Sequence, residues 1–268
     1  MRSTEAYARA PLRTTSRAAR FVLHELNGGD VTFRSPEGLV FSTMPNNFSS
    51  FAVVVDGARD LAIWRFVERR LGRGAVFVDV GANIGTYSLP AARLVGAEGR
   101  VIAFEAHPRT YAYLRRNVEA NALRQVVPVH MALGDGDGEV TMTFEDANPG
   151  ETHVSAQDAA PGAARVRLGT LDDALRDLGA ERVDYLKIDV EGFELPVLRG
   201  AVRTVGGNPG IVVQTELVNG YAARYGHRVA DVVTLLRDLG LEPWCARPDG
   251  TVEAVSGEPA GDVLWMRP

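Results

Sequence analysis

Five side chains carry most of the chemistry available to this chain: Asp79, Glu105, Lys187, Asp189 and Glu191. Asp79 lies in the apolar run Val76-Phe-Val-Asp-Val80, which spills into Gly81-Ala-Asn-Ile-Gly85. An apolar strand that passes through an acid into a glycine-bearing turn and then a helix is where α/β proteins hold nucleotide-like ligands. On that reading Asp79 orients the ligand, Gly81 lets it approach the backbone, and Gly85 lets helix and strand pack tightly. Asn83 belongs to the same turn. The spacing is D-x-G-x-x-x-G rather than G-x-G-x-x-G, so dehydrogenase-type dinucleotide binding is not the expectation. A structural turn that holds no ligand is the alternative.

Glu105 closes the next apolar run, Arg100-Val-Ile-Ala-Phe-Glu105, about 26 residues after Asp79. Across one strand-helix-strand unit, that spacing suits an acid accepting two hydrogen bonds from a ribose diol. The alternative is that Glu105 caps the helix beginning at Pro108. In Lys187-Ile-Asp-Val-Glu-Gly192, period-two geometry puts Lys187, Asp189 and, if the strand continues, Glu191 on one face. These groups either form an acid-base or substrate-orienting cluster, or a buried Lys-Asp pair that is purely structural. Lys187 is the only lysine among 29 basic residues. A compact ammonium with a shiftable pKa is not replaceable by arginine.

Glu216 closes a further run, Ile211-Val-Val-Gln-Thr-Glu216. Asp79, Glu105, Asp189 and Glu216 thus end four predicted strands, and open α/β sheets bind ligands beyond the carboxyl ends of their strands. The stretch Glu145–Gly169 is rich in Pro, Gly and Ala and reads as a long irregular connection, usually functional or disordered. It contains His153, a candidate for a loop closing over the site. His107, His130 and His227 have weaker claims. A divalent ion on Asp189 and Glu216 is chemically reasonable, since hard cations prefer carboxylates, but no spacing demands one.

The elements that position these groups alternate between strand and helix. Short strands at Val31–Arg34 and Leu39–Ser42 flank a turn at Ser35–Gly38, and a helix is predicted over Ala58–Leu71. Strands follow at Ala75–Val80, Arg100–Glu105, Gln125–Met131, Val183–Asp189, Ile211–Glu216, Leu241–Ala246 and Asp262–Met266. Pro108 opens a helix with the apolar stripe Tyr111, Leu114 and Val118, ending near Asn121. Thr170 and Asp173 cap a helix over Leu171–Leu178 that Gly179 stops, and another runs over Val229–Leu239. The pattern is that of an α/β fold, a mostly parallel sheet with helices on both faces. The division expected is an N-terminal extension over 1–70, a candidate substrate cover, and a core domain over 71–268.

With 268 residues, 46% of them apolar, the chain can bury a full-sized core. A formal net charge of −5 argues against a nucleic-acid-binding surface. No run approaches the roughly 18 apolar residues that span a bilayer, and the first residues lack a hydrophobic signal region, so a cytoplasmic protein without a membrane partner is expected. Cys245, the single cysteine, sits in a predicted strand and reads as a buried, inert thiol. Oligomeric state is not legible.

Taken together, Val78-Asp-Val-Gly-Ala-Asn-Ile-Gly85, Val101-Ile-Ala-Phe-Glu105, Leu114-Arg-Arg-Asn-Val118, Ala132-Leu-Gly-Asp135, Thr170-Leu-Asp-Asp173 and Tyr185-Leu-Lys-Ile-Asp-Val-Glu-Gly192 resemble the FkbM family of S-adenosylmethionine-dependent methyltransferases. After Glu105 the family pattern usually reads Pro-Asn-Pro, where this chain has Ala106-His-Pro108. The resemblance implies a seven-stranded Rossmann-like class I methyltransferase core and methyl transfer to an oxygen, often on a sugar or polyketide-type natural product. It further implies S-adenosylmethionine against Asp79, Gly81, Asn83, Gly85, Glu105 and Ala106, with Met131, Ala132 and Leu133 beside the adenine and Asp189 nearby. For the acceptor, a small molecule, Asp189, Glu191 or His153 would steer the hydroxyl proton, with Lys187 stabilising the alkoxide or fixing Asp189. The rivals are an N-methyltransferase acting on an amine and a non-catalytic cofactor-binding module. A short-chain dehydrogenase is disfavoured, because Val183 stands where a Tyr-x-x-x-Lys pair ending at Lys187 needs tyrosine.

Overall fold

The computed structural model describes residues 15, 16, 19, 29–35, 37–44, 47, 61–144, 152–155 and 164–268, with backbone pairing alone for 143, 144 and 152–155. The described chain opens with the hairpin β1 (Val31–Arg34) and β2 (Val40–Thr43), then α1 (Leu61–Arg70). The core continues through β3 (Val76–Val80), α2 (Ser88–Val95), β4 (Arg100–Glu105), α3 (Pro108–Ala120) and β5 (Val126–His130). Next come β6 (Ala132–Leu133), β7 (Gly138–Phe144), β8 (Thr152–Ser155), β9 (Ala164–Gly169) and α4 (Leu171–Asp177). Then follow β10 (Tyr185–Ile188), α5 (Glu194–Arg199), α6 (Val202–Gly207), β11 (Val212–Leu217) and α7 (Asn219–Ala222). The chain closes with α8 (Val229–Asp238), β12 (Glu242–Ala246), β13 (Val252–Ala254) and β14 (Gly261–Met266).

The main sheet has eight strands in the order β13-β12-β14-β11-β10-β3-β4-β5. Its centre, from β11 to β5, is parallel, while β14, β12 and β13 add antiparallel pairing at one edge. The expected seven-strand count is therefore one short. The strand missed, Val-Glu-Ala, is three residues long and mostly exposed, so it carries no apolar alternation to read.

Helices cover both faces of the sheet, which explains why β3 and β10 are apolar almost throughout. Successive residues feed opposite cores. Phe77 and Tyr185 stack at 5.2 Å among Leu89, Leu114 and Phe41, whereas Val78 and Leu186 join Ile102, Leu171 and Trp265 on the other face. The parallel register sets Lys187 beside Asp79, in the middle of this apolar sheet.

A second sheet, in the order β6-β9-β7-β8, draws β8 and β9 from the stretch expected to be an irregular loop. β9 replaces the irregular structure expected up to Gly169. Val166 and Leu168 of that strand pack with Val140 and Met142 of β7 and with Ala132. That is a period-two pattern which the local Pro and Gly content obscured. Residues 145–151 and 156–163 lie outside the described residues.

The hairpin docks on α3 through two asparagines. Asn121 Oδ1 accepts from the Val40 N–H (2.8 Å) and its Nδ2 donates to the Val40 carbonyl (2.7 Å). Asn117 makes the same pair with Ser42, at 2.7 and 3.0 Å. The side-chain amides thereby replace a neighbouring strand along the edge of β2. Among the described residues no helix is long and apolar enough to cross a membrane.

Candidate functional site

A cleft opens beyond the carboxyl ends of β3, β4 and β10, where the strand order reverses on either side of β3. Of the residues singled out from sequence, Gly81, Asn83, Glu105, Ala106, Met131, Ala132, Leu133, Asp189 and Glu191 line it. Asp79, Gly85, Lys187 and Glu216 are not on its lining. Val80, Phe104, Thr110, Met142, Val190 and Phe193 are, and sequence reasoning missed them. Thr110 is the first-turn threonine of an otherwise ordinary helix, and Met142 belongs to the second sheet, so neither carries a local signal.

Glu105, the last residue of β4, is buried beneath the cleft. One carboxylate oxygen accepts from the His107 N–H (2.8 Å) and the other from the Asn83 N–H (2.8 Å). Burial raises its pKa to about 7, the two backbone donors opposing that rise. Glu105 does not cap α3. His107 does, its Nδ1 accepting from Arg109 N (2.9 Å) and Thr110 N (3.2 Å), with Pro108 in the first turn. Burial lowers the His107 pKa to about 4, which keeps the ring neutral and Nδ1 free of a proton. The departure from Pro-Asn-Pro thus leaves the cap chemistry in place, a ring nitrogen standing in for an amide oxygen. Thr110 Oγ, in the same turn, is buried and finds no hydrogen-bond partner among the described residues.

The turn after β3 is shaped by its neighbours. At Gly81 (φ +79°) a Cβ would stand 1.9 Å from the Asp189 carbonyl oxygen, so the backbone just past β10 already requires glycine on this stretch of the cleft wall. A Cβ on Gly85 would strike Leu89 and Leu114, a packing role away from the cleft.

Asp79 points into the sheet. Its Oδ2 accepts from Ser88 Oγ (2.6 Å) and its Oδ1 lies 3.4 Å from Lys187 Nζ. The sequence reading of Asp79 as a ligand contact is therefore replaced by an internal ion pair, because the register turns its side chain toward β10. The ammonium also reaches Asp189 Oδ2 at 3.1 Å and sits 5.1 Å from the Tyr87 ring centroid. Lys187 is buried and links a fully buried acid to one at the cleft wall.

β10 ends at Ile188, and Glu191 reaches the cleft from a left-handed turn (φ +54°) rather than from a continued strand. Glu194, which sequence reasoning passed over, holds this turn: one carboxylate oxygen accepts from Val190 N (3.2 Å) and Gly192 N (3.1 Å). Burial raises its pKa to about 7. Carboxylate oxygens of Asp189, Glu191 and Glu216 lie within 4.8 Å of one another, half-buried, a spacing at which a divalent cation finds ligands. Acids at such spacing also occur without an ion.

Of the remaining candidates, His130, His227 and Cys245 are not on the cleft lining. The backbone of His153 pairs with Thr143 in β8, and its side chain lies outside the described residues. His130 stacks on Tyr111 and its Nε2 lies 3.0 Å from the Ala106 carbonyl. His227 stacks on Tyr225. Cys245 is half-buried rather than buried, and its thiol, raised in pKa by desolvation, donates to Glu253 (3.5 Å).

The model of the methyltransferase FkbM domain matches residues 79–242. Methyltransferase sdnD of Sordaria araneosa is 34% identical over 153 residues, covering 46% of this chain and 59% of that protein. Hexuronic acid methyltransferase AglP of Haloferax volcanii is 28% identical over 125 residues, covering 47% and 49%. The match thus spans about half to three fifths of these curated relatives. Among solved structures, methyltransferase FkbM from Methylobacillus flagellatus aligns with a TM-score of 0.48 at 16% identity, covering 97% of this chain and 59% of that one.

Proposed function

The chain belongs to the methyltransferase FkbM domain family, and from that premise we propose that it moves a methyl group from S-adenosylmethionine to a hydroxyl of a small molecule. The observation that carries this reading is Glu105. Each of its oxygens takes one backbone N–H, which leaves one lone pair apiece, the number a ribose diol needs. The surroundings fit the rest of the cofactor. Ala106, Met131 and Leu133 offer apolar surface for a base, and Thr110 offers a buried hydroxyl that has no partner among the described residues.

When bound there, S-adenosylmethionine supplies a methyl group activated by its sulfonium. The work left to the protein is alignment, exclusion of water and management of one proton. Asp189 and Glu191 are the cleft carboxylates placed to take or steer the proton of an acceptor hydroxyl. Lys187 holds Asp189 from beneath through the 3.1 Å contact and ties it to the buried Asp79. His153 stays a candidate from β8, whose partner strand β7 contributes Met142 to the cleft.

The cluster of Asp189, Glu191 and Glu216 bears on the acceptor. Three carboxylates repel an anionic substrate, so the hexuronic acid in the name of one relative is not carried over; a neutral sugar or polyketide-type hydroxyl is the better match. The same cluster favours a second reading, transfer to an amine such as that of an amino sugar. The protein is proposed to act in the cytoplasm without nucleic-acid or membrane partners, and a cation on the cluster is an optional addition.

The test is transfer from labelled S-adenosylmethionine to matched hydroxyl and amine acceptors. Product on the hydroxyl series supports the proposal and product on the amine series alone replaces it. Binding with no transfer to any acceptor points to a non-catalytic module. Replacing His153 and Asp189 singly at saturating cofactor tests the proton assignment, which unchanged turnover in both overturns. Full turnover after exhaustive chelation removes the cation.

A further inference from the structure

The turn that carries the nucleoside end of the cleft is held from outside the matched domain. Asn83 adopts the left-handed region (φ +53°), which a side chain with a Cβ enters only with local support. Its own Oδ1 folds back to accept from Ile84 N (2.8 Å). The same oxygen accepts from Asn47 Nδ2 (3.0 Å), so both of its lone pairs are used and the amide has one orientation. From the other side, Asn117 Nδ2 donates to the Ile84 carbonyl (3.0 Å) while holding β2. The Asn83 N–H, aimed by this arrangement, is one of the two donors that set the Glu105 carboxylate.

Asn47 is fully buried, follows β2, and lies well before residue 79, where the family match begins. It makes no part of the cleft lining, so it acts through Asn83.

We propose that Asn47 is a positioning residue for the nucleoside end of the cleft: by holding the Asn83 amide it fixes the turn whose N–H sets Glu105 for a ribose diol. The segment before the core is then a working part of cofactor recognition. This deepens the reading of the cleft as an S-adenosyl site and rests on it.

Isothermal titration on the full chain tests the idea, with S-adenosylhomocysteine, adenosine and 2′,3′-dideoxyadenosine as probes. The wild type binds S-adenosylhomocysteine and prefers adenosine over the dideoxy nucleoside by about tenfold or more, the worth of hydrogen bonds to a charged group. Asn47→Ala weakens S-adenosylhomocysteine about tenfold and narrows the nucleoside preference to below about threefold. Asn47→Asp keeps the side-chain volume, loses the donor and sets acceptor against acceptor, so it moves both readouts the same way and covers the case where Asn47→Ala does not fold. A merely structural asparagine lowers the melting temperature and leaves the nucleoside preference intact; that result overturns the inference alone. A wild type that does not bind S-adenosylhomocysteine overturns the underlying reading and the inference with it.

Discussion

At the end of β4 the Glu105 carboxylate is held by backbone N–H groups, and the turns that carry those groups are fixed by the side chains of Asn83, Asn47 and His107. Past the end of β10 the carboxylates of Asp189, Glu191 and Glu216 are half-buried and lie close to one another, Asp189 anchored from below by Lys187. The first region is preorganised: the Glu105 carboxylate is oriented by two main-chain donors rather than by other charged side chains. The second is built from charged side chains whose neighbours include residues of the second sheet and of Phe193–Tyr225. On the proposed reading, the cofactor meets a carboxylate locked by backbone donors, whereas the acceptor meets carboxylates set mainly by one another and by a buried ammonium.

The sharpest way to break that comparison is to exchange the effects of its two acids. Glu105→Ala is expected to weaken S-adenosylhomocysteine by at least about a hundredfold, since two hydrogen bonds to a charged group are lost. Asp189→Asn should lower turnover at saturating cofactor by about 10²–10⁴-fold while moving that affinity by less than about tenfold. Titration calorimetry and initial rates check the pair, and a large affinity loss in Asp189→Asn would merge the two regions into one.

Next in size is Lys187→Met, which leaves Asp79 buried and unpaired. Breaking a buried pair costs about 3–5 kcal/mol, read as a lower midpoint in urea unfolding. Lys187→Met combined with Asp79→Leu should recover most of that stability without recovering turnover, if the lysine serves Asp189 as well as the fold.

The pH dependence comes third. Glu105 with a pKa near 7 is increasingly protonated below neutrality, and a neutral carboxyl cannot accept from both diol hydroxyls. Affinity for S-adenosylhomocysteine should therefore rise about tenfold from pH 6 to pH 8. Stability runs the other way. Because its folded pKa lies above the unfolded value, Glu105 favours the folded state at low pH, and that contribution is lost as pH rises from about 4.5 through about 7. Melting curves of the ligand-free protein across that window check the sign.

The smallest expected effect concerns the cap. His107→Asn restores the amide of the family pattern and should keep the melting temperature within about 2 °C, whereas His107→Ala should cost about 1 kcal/mol. Since the folded His107 pKa lies below its unfolded value, wild type loses stability as pH falls from about 6.5 through about 4, and His107→Asn should remove that loss.

Much of the site was legible because local chemistry announces itself. The alternation of strands and helices, the acid closing β4 and the Lys-Ile-Asp-Val-Glu-Gly run all lie in short windows. The roles within those windows were less legible. Asp79 was read toward a ligand, and the register turns it to Lys187; Gly81 does line the cleft, but the Asp189 carbonyl packed against it is invisible in the sequence. Glu194 and Thr110 carry no pattern of their own; burial and hydrogen bonding single them out. The second sheet was hidden because its strands are split by Pro- and Gly-rich sequence and pair across long separations.

What the sequence determined by itself was the set of elements and the residues at their ends, because helix caps, strand alternation and turn glycines act over a few positions. What only the tertiary structure decided was which of those ends face each other. Cross-strand register pairs Lys187 with Asp79, and the docked hairpin brings Asn47 to Asn83. Such contacts join residues far apart in the chain, so no local preference encodes them and only the packed sheet fixes them.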